Sequence, residues 1–242
     1  MIALSRYFYS LVAVGLIATA LPASAALVAA DDFDDADGTL LDGKAPDVGA
    51  NWRVTQGGGD LDVQGGVLDT TGAGRTGFLD FAGGKALGAG ELLTMRLTTQ
   101  DPSGSNFFSG GYAGFSFFEG SDASEVMFIG DTGGGEFWGL DQTLVGGTTL
   151  STNNDPDATA VFTYSFDSGA YALTIDGAVE LSGTGTANLA VDRFRFVNGG
   201  GGDLIMDSLA VDISTEVPEP ASVVTVVLAF TGLAVVLRGR RA

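Results

Sequence analysis

Residues 26–214 predict an all-β fold, a two-sheet antiparallel β-sandwich or jelly roll, on three observations. Segments of 5 to 9 residues with alternating or continuous apolar character recur along the chain. Clusters of Gly, Asp, Asn and Ser separate them, and no window of helical period stands out. Ten or more such segments favour two packed sheets over a single open one.

The elements follow in order. Asp60 to Asp69 (DLDVQGGVLD) sets Gly65 and Gly66 between two short β runs, a hairpin turn that needs positive φ. Glu91 to Thr99 alternates Leu93, Met95 and Leu97 against Thr94, Arg96 and Thr98, which predicts a half-buried strand. Tyr112 to Phe118, Glu125 to Ile129 and Glu136 to Leu140 supply three more strands. Phe162, Tyr164 and Phe166 share one face of the next. Ala170 to Leu181 then turns at Asp176-Gly177, another hairpin signature. Phe194 and Phe196 oppose Arg193 and Arg195, and Asp203 to Ile213 closes the series. The 38 glycines have no collagen period and fall between strands, as turn punctuation.

Composition narrows the chemistry. With no Cys, the domain has to be held by a core large enough to do without disulfides. The absence of His excludes Ser-His-Asp and Cys-His catalysis, His-ligated zinc and His general bases. Between the two apolar ends lie seven of the 11 basic residues and 29 of the 30 acidic ones, a formal charge near −22. Such a surface disfavours nucleic acid as a partner and suits solubility outside the cell or cation binding.

The two ends read differently from the middle. Residues 1–25 have the form of a secretory signal: Arg6, an apolar stretch from Leu11 to Leu21, then Ala23-Ser24-Ala25 as a signal peptidase site. The alternative is an N-terminal anchor helix. Residues 215–242 hold Pro218-Glu219-Pro220, an uncharged run of 17 residues over 221–237, and a basic tip at Arg238, Arg240 and Arg241. At ~1.5 Å per residue the run rises roughly 25 Å, close to the hydrocarbon core of a bilayer. Its apolar character all round predicts one C-terminal transmembrane helix, with the arginines on the cytoplasmic side. A buried C-terminal helix of the domain is the alternative.

This combination of signal peptide, single domain, Pro-Glu-Pro, short hydrophobic helix and Arg-rich tip resembles the PEP-CTERM sorting family of Gram-negative bacteria. The resemblance covers about 26 residues at the C-terminus. It implies that an exosortase, a membrane protease-transpeptidase, recognises Pro218, Glu219 and Pro220, removes the helix and passes the protein to the envelope or exopolysaccharide matrix. Two prolines hold the segment extended just outside the lipid, where a protease can grip it. A triplet that acts only as a helix stop is the alternative.

A second resemblance covers most of the domain. Asp31 to Val54, the Gly-Gly hairpin, Val161 to Glu180 and Phe194 to Ile213 together look like a concanavalin A-like, laminin G-like jelly roll. It implies an opening Asp-Phe, Trp52 in the first core strand, a strand turning at Asp176-Gly177, and Asp207 on the last strand packed back against the opening. Laminarinase-type glycoside hydrolases on this fold use two glutamates on one strand with an aspartate between them. Glu119, Asp122 and Glu125 are the residues to test against that pattern, but six residues separate the glutamates, and Gly120-Ser121-Asp122 reads as a turn. The pair is therefore expected to flank a hairpin loop, as solvated charges.

For metal, Asp35, Asp37 and Gly38 imitate positions three, five and six of an EF-hand loop, but Phe33 and Lys44 fall on positions one and twelve, so both anchoring ligands fail. Calcium between Asp31, Asp32 and Asp207 is a candidate by resemblance, against a solvated acidic face. Gly199 to Leu204 misses a calcium-binding glycine repeat by one residue. The expectation is a non-catalytic, exported envelope or matrix protein that passes transiently through the inner membrane, whose sandwich binds glycan or protein and whose tail is an address. Its expected partners are signal peptidase, an exosortase, the membrane and extracellular polysaccharide. The competing reading is a secreted glycan-acting enzyme, for which two carboxylates would converge in a groove with exposed aromatics such as Trp138 or Tyr112. Phe115, Phe117 and Phe118 are expected in the core.

Overall fold

A computed structural model describes residues 25–57, 61–70, 74–101, 111–133, 136–200 and 202–216. Ala23, the Pro-Glu-Pro triplet, the apolar run at 221–237 and the terminal arginines lie outside the described residues, and Ala25 is the first of them.

The strands are β1 (Ala26–Asp31), β2 (Arg53–Gln56), β3 (Asp62–Gln64), β4 (Val67–Asp69), β5 (Thr76–Asp80), β6 (Glu91–Gln100), β7 (Tyr112–Phe118) and β8 (Glu125–Asp131). They continue as β9 (Trp138–Asp141), β10 (Thr149–Leu150), β11 (Ala158–Ser165), β12 (Ala170–Ile175), β13 (Ala178–Thr184), β14 (Arg193–Gly199) and β15 (Ile205–Thr215). Eight form one sheet in the order β13-β12-β11-β6-β15-β4-β3, with β1 also paired to β15. Seven form the other, β10-β9-β8-β7-β14-β5-β2. Every pairing between these strands is antiparallel.

Alternation decides which side chains meet between the sheets. Leu93, Met95 and Leu97 of β6 and Phe162 and Tyr164 of β11 point inward from the first sheet, opposite Phe115 and Phe117 of β7 and Phe194 and Phe196 of β14. Phe117 stacks on Phe162 across the gap, centroids 6.4 Å apart. Each such ring contributes roughly 1.5–3 kcal/mol by leaving water, which is how a chain without disulfides holds together. Both sequence-predicted hairpins form. Gly65 and Gly66 have φ of 63° and 80°, and Asp176 and Gly177 have 50° and 82°, the double positive φ that a two-residue turn between twisted strands requires.

The opening segment is tied down differently from expectation. Trp52 is buried in the core as expected, one residue before β2; its backbone pairs with Gly43 and Lys44, and its indole Nε1 donates to Asp31 Oδ2 at 2.6 Å. Asp207 is not among the carboxylates gathered at the opening, which are Asp31, Asp32 and Asp47. It lies at a register shift in β15 and accepts a long hydrogen bond from Gln100. The carboxylate that ties the opening down is Asp31, buried at the end of β1, which takes Lys44 Nζ at 2.7 Å. Lys44 also reaches Asp35 at 2.7 Å and sits over the Phe33 ring. Burial disfavours the ammonium, but the hydrogen bonds it donates to Asp31 and Asp35 outweigh that and push the Lys44 pKa above its ordinary value.

Candidate functional site

The outer face of the seven-stranded sheet carries the arrangement with chemical potential. Since Phe194 and Phe196 face the core, Arg193 and Arg195 face out, and the strand register extends each into a row across the sheet. One row reads Arg53, Phe78, Arg195, Ser116, Phe128, Asp141, in consecutive pairing from β2 to β9. Beside it run Asp80, Arg193, Phe118 and Glu125. On its other side lie Gln56, Thr76, Val197, Gly114, Gly130 and Gly139.

Three glycines in register lower the floor of the face at one end. A Cβ on Gly114 would stand 2.9 Å from Phe128 Cζ, so the Phe128 ring depends on that space. Gly199 serves Tyr112 in the same way: its missing side chain leaves room for the Tyr112 ring, whose Cζ would lie 2.5 Å from a Cβ there. Tyr112 remains 41% exposed, while Trp138 is fully buried and donates its indole N–H to Asp155 O. Tyr112, Glu125, Phe128, Thr132, Asp141, Gln142, Arg195 and Val197 line a cavity of about 290 Å³. Arg195 also walls a second cavity of about 320 Å³, lined with Thr55, Gln56, Thr76, Phe78 and Asp122. Arg195 therefore borders both cavities on this face.

Arg195 is held from several sides. Its Cζ lies 4.7 Å from the Phe118 ring and 6.0 Å from Phe78, and Phe78 and Phe118 meet edge to face at 5.2 Å. Its Nη2 donates to Glu125 Oε1 at 2.6 Å and to Ser116 Oγ at 2.9 Å, and Nε has no partner among the described residues. Burial lowers the Arg195 pKa against the pull of Glu125, and the guanidinium still keeps its charge. Phe78 and Phe118 thus face outward and yet are buried, under arginines instead of under the opposite sheet.

The carboxylates fall out as follows. Glu119 and Glu125 flank the β7–β8 loop, as the turn signal predicts, with Glu119 N donating to Ser124 O. Glu125 and Asp141 line one cavity beside the exposed Tyr112 ring. Both are engaged as acceptors, Glu125 by Arg195 and Ser116, Asp141 by Gln142 N and Thr148 Oγ1. Asp122 accepts from Arg53 and Arg193, and the Arg53 guanidinium beside it, with that of Arg193, holds its carboxyl below the usual carboxylate range.

The calcium candidates are only partly brought together. Asp31, Asp32 and Asp47 place carboxylate oxygens within 4.8 Å of one another, and Asp207 is not among them. Asp31 already binds the Lys44 ammonium and the Trp52 N–H, so the set suits a divalent cation poorly while Lys44 stays in place. Sequence reasoning missed Asp47 and Lys44 in this cluster, and missed the Arg53–Arg193–Arg195 face. The outward spacing of Arg193 and Arg195 was a visible signal for the second.

Comparison with known proteins gives a fold and no family. Neither a protein-family model nor a curated protein matches the chain. Among solved structures it is similar to one described with endo-acting O-glycanases that human gut bacteria express to initiate mucin breakdown, at TM-score 0.51 and 10% identity over 79% of this chain and 100% of that one. It is also similar to an endo-1,3-beta-glucanase from Streptomyces sioyaensis, at 0.48 and 16% over 82% and 100%. A third is the Emp47p carbohydrate recognition domain, at 0.48 and 14% over 78% and 98%. The described residues form a two-sheet antiparallel β-sandwich matching a jelly roll, and the likeness to the O-glycanase structure extends to that fold alone.

Proposed function

We propose that the sandwich is a non-catalytic glycan-binding domain whose groove crosses the outer face of the seven-stranded sheet. The observation that carries this reading is the wall of that groove. Tyr112 lies against Gly199 with its ring partly exposed, beside Glu125, Asp141, Gln142 and Arg195 as hydrogen-bonding groups. An aromatic platform with a few convergent polar groups is what a sugar ring, apolar on its faces and hydroxylated on its rim, needs for binding. Glu125 and Asp141 share the cavity with the exposed Tyr112, as the enzymatic reading requires; binding is proposed over hydrolysis because each already accepts hydrogen bonds within the protein, Glu125 from Arg195 and Ser116, Asp141 from Gln142 and Thr148. A glycosidase needs one carboxyl in position to deliver a proton and a second placed against the sugar. The O-glycanase structure on the same fold supports a sugar as the ligand class.

The rest of the proposal rests on the termini: export by the N-terminal signal, passage through the inner membrane, and an exosortase-processed tail leading to the envelope or matrix. Calorimetric titration of the purified chain with neutral β-glucan oligosaccharides tests the groove. Binding that Tyr112→Ala weakens at least about tenfold, roughly 1.4 kcal/mol, without new reducing ends, is the expected result. Release of reducing ends that depends on Glu125 or Asp141 would replace binding with catalysis.

A further inference from the structure

One carboxylate on this face stands where a ligand's could. Asp122, on the loop between β7 and β8, faces two guanidiniums from different strands, Arg53 of β2 and Arg193 of β14. Its Oδ2 accepts from Arg53 Nη1 at 2.9 Å and its Oδ1 from Arg53 Nη2 at 3.2 Å, a two-pronged contact that matches a planar carboxylate. Oδ1 also accepts from Arg193 Nη1. The two guanidiniums do not depend on Asp122 for their position. Asp80 takes Arg53 Nη2 at 3.2 Å and lies 3.6 Å from Arg193 Nε, and Asp192 takes Arg193 Nε at 3.0 Å. Asp122 is 39% exposed and Arg53 is 41% exposed, so their bridge lies at the solvent boundary, where such pairs contribute little. Asp122 also lines the 320 Å³ cavity, which shares Arg195 with the cavity that holds Tyr112.

We propose that Arg53 and Arg193 form a carboxylate subsite at the β2 end of the glycan groove, that Asp122 fills it in the resting protein, and that the glycan bears uronic acid. A uronate entering the groove would take the same three N–H donors while the loop swings away, exchanging one carboxylate for another with no change in bonds or charge at the clamp. The domain's net negative charge opposes a polyanion at long range, but at 0.15 M salt screening acts within about 8 Å, which leaves contact with the clamp to decide. This inference rests on the glycan reading of the groove.

Titration with trigalacturonate and with its methyl ester, which has the same rings without the charge, tests it in wild type, Asp122→Ala, Asp122→Asn and Tyr112→Ala. Removing the internal competitor is expected to tighten trigalacturonate at least about tenfold and leave the methyl ester unchanged. Adding Arg53→Gln and Arg193→Gln to Asp122→Ala should erase the gain. A melting temperature within a few degrees of wild type certifies the fold, and Asp122→Asn, which keeps the side-chain shape, should show the same direction of effect if the alanine variant does not fold. Equal gains for acid and ester, or no gain for the acid, overturn the subsite. If the ester still binds through Tyr112 in that case, the glycan reading stands alone. No binding of either sugar by any folded variant overturns the subsite, and with neutral β-glucan oligosaccharides also unbound it overturns both.

Discussion

Two clusters of paired charges lie on opposite sides of the same question. Around Asp31, a lysine ammonium and an indole N–H close on a carboxylate sealed from water, with the ammonium over the Phe33 ring. Around Arg193, three arginines share four carboxylates on a surface that remains half open, with cavities on both sides of Arg195. The same kinds of group make both. Burial makes the first structural, because neither partner can be lost without stranding a charge in a medium that cannot solvate it. Exposure leaves the second exchangeable, because water or a ligand can replace either member.

The largest expected effect breaks the buried member. Lys44→Met leaves Asp31 uncompensated and should cost on the order of 3 kcal/mol or more. For a domain of this size that is a fall in Tm of roughly 6–12 °C, readable by calorimetry, with glycan affinity unchanged in the folded fraction. A smaller effect sharpens the other side. Gly199→Ala puts a methyl group against the far end of the Tyr112 ring, which can swing away, so stability should fall by less than about 1 kcal/mol while glycan affinity falls as it does for Tyr112→Ala. Equal affinity in Gly199→Ala and wild type would remove Tyr112 from the groove.

The smallest effect is a pH dependence. Arg53 and Arg193 lower the Asp122 pKa, so what the pairing contributes is fully present above the ordinary aspartate value and is lost as pH falls through the lower folded value. Mobility of the 119–124 loop, followed by amide exchange, should therefore be flat from pH 8 to pH 5 and rise only below about pH 4. Asp122→Asn should remove that rise.

What could be read from the sequence was what depends on neighbours along the chain. Alternation in Leu93, Met95 and Leu97 marks β6, and Asp176-Gly177 marks the β12–β13 hairpin, because period and turn chemistry are local. Phe118 was expected in the core because an aromatic in a strand normally is. It instead faces out, buried by Arg195, 77 residues further along the chain, which no local pattern encodes. Lys44 failed as a calcium ligand position, and the reason it is there, as the counterion of Asp31, needed the pairing of β1 with β15 and the path of the 32–52 segment. Asp122 was visible as a turn residue, but its two arginine partners come together only in the folded sheet.

The pairing of β1 with β15 has one more outcome. Ala26 lies across from Ile213, so the first strand finds its partner in the last. A chain made from its N-terminus presents β1 early, and nearly the whole polypeptide has to follow before that seam can zip, since contacts so far apart in sequence are slow to form. Until then β1 has an open ladder of backbone donors and acceptors.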